Sequence, residues 1–468
     1  MSETQAMFAV LRQSAGATEA QAIQRLVEAG ADHELCRINV LAFAAKSGLA
    51  EERALAAFLH ASRIGLFELS WNVLCPGCGG VLDASTTLKS IDRTEYDCAL
   101  CAAGYEPTLD DVIEVTFTVN PRVRRIAAHQ PANLAIADYL RQIFWGSGID
   151  LPDNVEGLLD EITLESLELP PGEKAIVSLT LPAEFVILFD PVTHGTQFLD
   201  VKGEPTRERQ NLSFVLNQVR APTGTVTLRP GPLRVTLENR TAQRVLPTLW
   251  VAGDKLHALL GRRRPFVTAK RLLTNQVFRD IFRTDTLDVD QRLKITSLTF
   301  LFTDLKGSTE LYDRVGDLAA FELVKAHFRA LTDIVAAEAG AVVKTIGDAV
   351  MATFPTPDRA LAAALRMREA MRGLNAERQS EDLLLKIGIH EGPCLAVVLN
   401  DRQDYFGQTV NIASRVQHLA ASRSILASSS VIKDPQSDAL LRSNGLTPVA
   451  RSELIRGVTD GVAVYEIP

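Results

Sequence analysis

Three short stretches in the last third of the chain carry side chains whose types and spacing suit phosphoryl chemistry. SLTFLFTDLKGSTELY (297–312) starts as an almost wholly apolar run, Leu298–Phe302, and ends in a carboxylate, Asp304, before a Gly-Ser-Thr turn that opens a helix. A carboxylate at a strand end beside a helix N-terminus suits a metal-bound polyphosphate. The acid holds a divalent ion, and unpaired backbone N–H groups face phosphate oxygens. Such an aspartate is also a common turn former, so this stretch alone decides little. GAVVKTIGDAVMATF (340–354) reads as strand, Gly347-Asp348 turn, strand, with an acid at the tip. Lys344 lies inside the first strand, where a solvated lysine has no obvious structural purpose. Asp304 and Asp348, from separate strands, can converge on a pair of metals. In DYFGQTVNIASRV (404–416) a helix from Thr409 onward puts Asn411 and Arg415 one turn apart on one face. A solvated helix face looks the same, but an amide and a guanidinium so placed can orient a ribose and neutralise charge on a phosphoryl group. Together the three stretches suggest metal-dependent phosphoryl chemistry on a nucleotide.

A different chemistry sits near the other end. Four of the six cysteines form Cys75-x2-Cys78-x19-Cys98-x2-Cys101, leaving Cys36 and Cys394 apart. Two CxxC pairs at this separation fit a tetrahedral, structural Zn²⁺ site with four thiolate ligands, a zinc ribbon. Pro76, Gly77, Gly79 and Gly80 supply the turn residues of the first knuckle. One or two redox dithiols are the alternative. Between Cys75 and Cys101 stand two basic residues, Lys89 and Arg93, against four acidic ones, Asp83, Asp92, Glu95 and Asp97. That balance repels phosphates, so a cross-link is favoured over nucleic-acid binding.

The elements that must position these groups divide the chain into a multidomain arrangement. Residues 18–65 read as helices, with TEAQAIQRLVEAG, ELCRINVLAFAAKSG and AEERALAAFLHASRIG each stopping at a glycine suited to a left-handed cap: Gly30, Gly48 and Gly65. A helical region over 1–70 and a zinc ribbon over 71–120 follow from this. After a mostly helical patch at 131–162, short β-rich runs from Lys174 to Val251 suggest a β-sandwich-like domain, so 121–260 is expected to be mainly β with a helical insert. A helical linker takes 261–294, and Arg262-Arg263-Arg264 within it is expected to be a solvated loop. From 295 to 468 strands alternate with helices, predicting an α+β domain.

Composition narrows the function classes. The 468 residues predict about three domains, or two with a large insertion. With 46% hydrophobic and 23% charged residues the chain is globular in class. A net charge of −8 makes nucleic acid an unlikely partner. The most apolar stretch, Ala175–Phe189, is broken by Pro182 and Glu184, and cannot span a bilayer. No secretory signal is legible in MSETQAMFAV, and so few cysteines suit a reducing compartment, so a cytoplasmic location is expected.

LTFLFTDLKGST, VVKTIGDAVMATF, GIHEGP and DYFGQTVNIASRV resemble, in order and spacing, the signature blocks of the class III nucleotidyl cyclases, over residues 296–468. The resemblance implies a ferredoxin-like catalytic domain that converts ATP to 3′,5′-cyclic AMP and pyrophosphate with two Mg²⁺ or Mn²⁺ ions per site, at a homodimer interface. It implies that Asp304 and Asp348 hold the metals, with the Leu305 carbonyl as a further ligand. Lys344 and Asp404 then read adenine, Asn411 orients the ribose, and Arg415 stabilises the transition state. The turn Lys306, Gly307, Ser308 and Thr309 holds phosphate. Arg456 falls where the family often has a triphosphate-contacting lysine, and His390, inside LLLKIGIHEG, is structural rather than catalytic. Guanylate cyclases typically carry Glu at the position of Lys344, which favours ATP over GTP. A guanylate cyclase on the same scaffold and a nucleotide-binding regulatory protein without turnover are the alternatives. The CxxC pair that follows a Trp-containing strand is similar to an uncharacterised region upstream of some bacterial cyclases, so the N-terminal part is expected to be regulatory, with an unknown ligand or protein partner.

Overall fold

A computed structural model of the chain describes residues 3–91, 93–217, 224–282, 293–306, 313–399, 402–451 and 462–468. The chain forms two units. One comprises Met1–Thr86, Arg93–Pro107 and Asp111–Val267, and the other comprises Thr87–Asp92, Thr108–Asp110 and Thr268–Pro468. Among the described residues no helix is long and apolar enough to cross a membrane.

The first unit opens with α1 (Glu3–Ala15), α2 (Ala17–Ala29), α3 (Val40–Ser47) and α4 (Glu51–Arg63). The helix expected over ELCRINVLAFAAKSG is shorter than its periodicity suggests. Ile38 is drawn into a β-bridge with Phe117, and the Asn39 side chain caps α3 by accepting from the N–H groups of Leu41 and Ala42. Gly48 ends α3 left-handed at φ 66, as expected. Gly30 instead is extended at φ −66, and glycine is needed there because a Cβ would lie 2.6 Å from the Leu26 carbonyl oxygen. On α4, Phe58 packs on Phe67 and Phe117, which belong to β1 (Phe67–Leu74) and to a later strand of the same sheet. That sheet also takes β2 (Val81–Ser85), while β3 (Tyr96–Cys98) and β4 (Ala103–Tyr105) make a separate hairpin. With β5 (Ile113–Val119) the sheet order is β2-β1-β5.

The patch expected to be mostly helical over 131–162 is a series of short helical pieces: a turn at Pro131–Asn133, α5 (Ile136–Tyr139) continued through Leu140–Phe144, and α6 (Val155–Ile162). Then come β6 (Thr163–Ser166), β7 (Lys174–Leu181), β8 (Phe185–Phe189), β9 (Thr196–Val201), β10 (Gln210–Leu216), β11 (Thr225–Leu228), β12 (Gly231–Asn239) and β13 (Thr248–Val251). They build two sheets, β10-β12-β7 and β11-β9-β8-β13-β6. Leu188 and Leu199 of one share a single apolar cluster with Leu212 and Val235 of the other. This is why the inward positions of these strands alternate with polar ones. After α7 (Asp254–Gly261) the unit closes at Val267.

The second unit starts at Thr268 and also holds Thr108–Asp110, so the linker expected over 261–294 is not an independent segment. α8 (Ala269–Leu273) and α9 (Gln276–Ile281) come first. Next are β14 (Leu293–Leu305), α10 (Asp317–Ala337), β15 (Ala341–Ile346), β16 (Ala349–Phe354), α11 (Pro357–Glu377) and β17 (Leu385–Leu399). These six elements form a βαββαβ unit with antiparallel order β15-β16-β14-β17, the ferredoxin-like arrangement. β18 (Arg402–Phe406) pairs with β17, followed by α12 (Gln408–Leu419), β19 (Ile425–Ser428), α13 (Ser429–Ile432), α14 (Pro435–Ser443), β20 (Val449–Arg451) and β21 (Val464–Ile467). The sheet continues beyond β17 as β19-β21-β20. From Leu298 to Thr303 every residue of β14 is buried, because both faces of that stretch are covered. Leu301 and Leu305 pack with Leu331 of α10 and Met367 of α11, while the ring of Phe300 lies 5.6 Å from that of Tyr405. Asp110 anchors the start of β14: its carboxylate accepts from the N–H groups of Thr296 (2.5 Å) and Ser297 (3.4 Å) and pairs with Lys270 at 2.9 Å.

Candidate active site and cysteine cluster

Sheet register brings the two metal-candidate carboxylates to one end of the second unit. Thr303 of β14 faces Val350 of β16, so Asp304, one residue on, and Asp348, in the turn before β16, share that end of the ladder. Gly347 makes the turn with φ +63. Burial, and then the neighbouring Asp348 carboxylate, raise the Asp304 pKa above the usual carboxylate value, against Lys386, His418 and a hydrogen bond from Gln417. Asp348 carries a buried Oδ2 with no hydrogen-bond partner. Two neighbouring carboxylates, one with an orphaned oxygen, are costly unless a cation satisfies them, so the donor set fits Mg²⁺ or Mn²⁺. Leu305 follows on β14, and the Lys306 N–H donates to Leu384 O at 3.0 Å. Gly307, Ser308, Thr309 and Arg456 lie outside the described residues.

Two further residues belong to this end of the sheet and carry no motif signal of their own. Lys386 faces Asp304 across the β14–β17 ladder, with its Nζ 3.9 Å from Asp304 Oδ2. Its strand also carries His390 and Glu391, so composition does not single it out. His327, fully buried on α10, faces the hairpin tip. Burial pushes its pKa down to about 4, with Asp348 opposing, so it is neutral at pH 7. His390 is likewise buried, 2.8 Å from Ser428 Oγ, and burial takes it to about 4.

The structure joins the second expected pair directly. Lys344 Nζ donates to Asp404 Oδ2 at 2.5 Å, and Asp404 Oδ1 accepts from the Tyr405 N–H at 2.8 Å. Asp404 is nearly covered while Lys344 remains 43% exposed, so the pair presents to solvent from the lysine side. Asn411 and Arg415 are both on the exposed face of α12, one turn apart. The opposite face lies on β17, and Gly388 permits it: a Cβ there would come within 2.2 Å of the Gln417 backbone nitrogen. Along the helix, Asn411 lies about 10 Å from His418, the residue next to Gln417 that influences Asp304.

In the first unit Cys75, Cys78, Cys98 and Cys101 place their sulfurs within 4.8 Å of one another. The separations are 3.6 Å for Cys75–Cys101 and 3.7 Å for Cys78–Cys98. Four thiolates about 2.3 Å from a tetrahedral zinc would be about 3.8 Å apart, so the cluster fits Zn²⁺. The knuckle turn points the N–H of Cys78 at Cys75 Sγ (3.5 Å) and that of Gly80 at Cys78 Sγ (3.4 Å). Arg263 is exposed, as expected of this loop, and also donates to the Gly77 carbonyl at 2.5 Å, while Arg264 donates to Ser147 O at 2.7 Å. Cys98→Ala should release one zinc per chain and lower the melting temperature, because metal binding and folding are linked. A Cys98→Ala chain with full zinc content and unchanged melting would refute the assignment.

Comparison with known proteins adds two matches. Residues 1–280 match a family of unknown function (DUF5939), and residues 291–448 match the adenylate and guanylate cyclase catalytic domain. The adenylate cyclase of Anabaena cylindrica is 28% identical over 185 residues, 36% of this chain and 36% of that protein. Adenylate cyclase 2 of Rhizobium meliloti is 32% identical over 161 residues, 31% of this chain and 44% of that protein. This chain therefore spans less than half the length of these curated relatives. The solved adenylyl cyclase CyaB from P. aeruginosa aligns with 38% of this chain and 96% of its own at 22% identity, with a TM-score of 0.34.

Proposed function

We propose that this chain, which belongs to the family of unknown function DUF5939 and carries a class III nucleotidyl cyclase domain behind that region, converts ATP to 3′,5′-cyclic AMP and pyrophosphate. The observation that carries this reading is the Lys344–Asp404 contact at 2.5 Å, in the same unit that gathers Asp304 and Asp348. Adenine offers an acceptor at N1 and a donor at its exocyclic amine, matching a lysine and an aspartate in turn. Guanine offers a protonated N1 and an O6 acceptor, which leaves both side chains mismatched.

Asp304 and Asp348 would hold two Mg²⁺ or Mn²⁺ ions with the Leu305 carbonyl. Bound there, the ions offset triphosphate charge and acidify the attacking hydroxyl. Asn411 holds the ribose so that its 3′-oxygen lies in line with the α-phosphorus. The new bond joins that oxygen to the α-phosphorus, the bond to the bridging α–β oxygen breaks, and pyrophosphate leaves while the hydroxyl proton passes to solvent. Arg415 neutralises charge growing on the phosphoryl oxygens, and Lys386 adds a cation on the triphosphate side.

The site is read as shared between two copies. Lys344 and Asp348 flank one short hairpin, yet their partners lie at opposite ends of ATP. Two chains packed head-to-tail about a two-fold axis resolve this, with Asp304 and Asp348 from one and Lys344, Asp404, Asn411 and Arg415 from the other. The exposed apolar side chains Leu318, Phe321, Ile346 and Phe406 of this unit support such a contact. Purified chain given ATP or GTP with Mn²⁺ should yield cyclic AMP and pyrophosphate in equal amounts and little cyclic GMP. A predominance of cyclic GMP would establish the guanylate alternative, and ATP binding without product the regulatory one.

A further inference from the structure

The side chains that read the base stand on strands that are not paired with each other. Lys344 is on β15, which pairs with β16, and Asp404 is on β18, which pairs with β17. The sheet ladder alone therefore does not set their separation. Arg279 of α9 joins the two strands. Its Nη2 donates to the carbonyl of Gln403 at 2.9 Å and to that of Val343 at 3.4 Å. Those are the residues directly before Asp404 and Lys344.

The local backbone explains why a side chain is needed there. The register of β15 against β16 shifts between Val342 and Lys344, leaving Val343 as the extra residue of a bulge. Beside it, Gln276 of α9 accepts from the Val342 N–H through Oε1 at 2.8 Å. On the β18 side, Gln403 Nε2 donates to the Tyr405 hydroxyl at 2.9 Å, and that hydroxyl donates to Leu273 O at 3.4 Å. Buried Phe278 and the Asn275 cap fix α9 itself. Arg279 keeps a buried Nη1 with no hydrogen-bond partner, a cost that packing alone does not require.

We propose that Arg279 is a positioning residue for purine selection, setting the spacing of Lys344 and Asp404 by holding the two carbonyls that precede them. The inference rests on the adenine-reading role of that pair. It also gives the DUF5939 region a part in substrate choice, since Arg279 lies within residues 1–280 and ahead of the cyclase match at 291–448. Displacing a positioned group by about 1 Å can cost roughly 100-fold, and a mismatched polar site discriminates strongly.

The test uses the full chain as wild type, R279A and R279K. It measures equilibrium binding of 3′-deoxy-ATP and 3′-deoxy-GTP, which lack the attacking hydroxyl, with kcat and KM for ATP and GTP alongside. R279A should lower the ATP-over-GTP preference by at least about tenfold, mainly through KM and the binding constants, with melting nearly unchanged. R279K, which can donate to both carbonyls, should recover most of that preference. Should R279A fail to fold, R279Q carries the same expectation. A preference within twofold of wild type in a folded variant overturns the proposal, as does an equal loss for both purines that lysine does not relieve. Wild-type chain that binds neither analogue instead overturns the adenine-reading assignment itself, and this inference with it.

Discussion

Asp348→Ala homodimers are expected to lose about a thousandfold or more in kcat with Mn²⁺, equivalent to roughly 4 kcal/mol of transition-state stabilisation. The expectation comes from the buried Oδ2 of Asp348 that finds no hydrogen-bond partner beside Asp304. Such an oxygen is costly in the fold and useful to a cation. Removing it also removes the like charge that helps raise the Asp304 pKa. Melting without added metal should therefore hold or rise, which separates a metal-holding role from a structural one. Binding of 3′-deoxy-ATP should persist in part, because Lys344 and Asp404 are untouched. Turnover within tenfold of wild type would remove Asp348 from the chemistry.

The second large effect is on specificity. Lys344→Glu combined with Asp404→Cys should depress ATP turnover by more than about 100-fold relative to GTP turnover, since a site left with unpaired polar groups rejects the wrong base strongly. The two residues touch at 2.5 Å, so they should act as a unit. The single changes are expected to be non-additive, each leaving one charge without its partner. An unchanged ATP/GTP ratio in the double variant would sink the base-reading assignment.

The part of the fold and site legible in the sequence is the part written in local spacing. The apolar run of β14 ending at Asp304, the hairpin around Asp348 and the cysteine tetrad are short-range patterns, and each leads to the arrangement observed. The face shared by Asn411 and Arg415 follows from helix periodicity in the same way. Long-range register was not legible. That Lys386 faces Asp304 depends on the pairing of β14 with β17, strands about eighty residues apart, and no local pattern encodes it. Asp110 is further still from the β14 N–H groups it accepts, and it follows the ribbon in sequence while belonging to the second unit. Arg263 is exposed, as its sequence context suggests, but its contact with the Gly77 carbonyl, a backbone group with no sequence signature, is not legible. Arg279 was hidden for the same reason, since both of its acceptors are main-chain carbonyls. At Gly30 a glycine at a helix end suggests a left-handed cap, whereas the close approach of Leu26 O is what requires glycine there.

In the proposed enzyme each catalytic site is built from two chains. Asp348→Ala and Asn411→Ala, carried on differently tagged chains, can be co-expressed and the heterodimer isolated through both tags. If Asp348 and Asn411 of each site come from different copies, one site of the heterodimer holds both lesions and the other holds neither. Each homodimer should then be nearly inactive, while the heterodimer shows about half the wild-type rate of cyclic AMP formation. A confirmed heterodimer as inactive as its parents would mean that the two residues act within one chain, and would contradict the shared site.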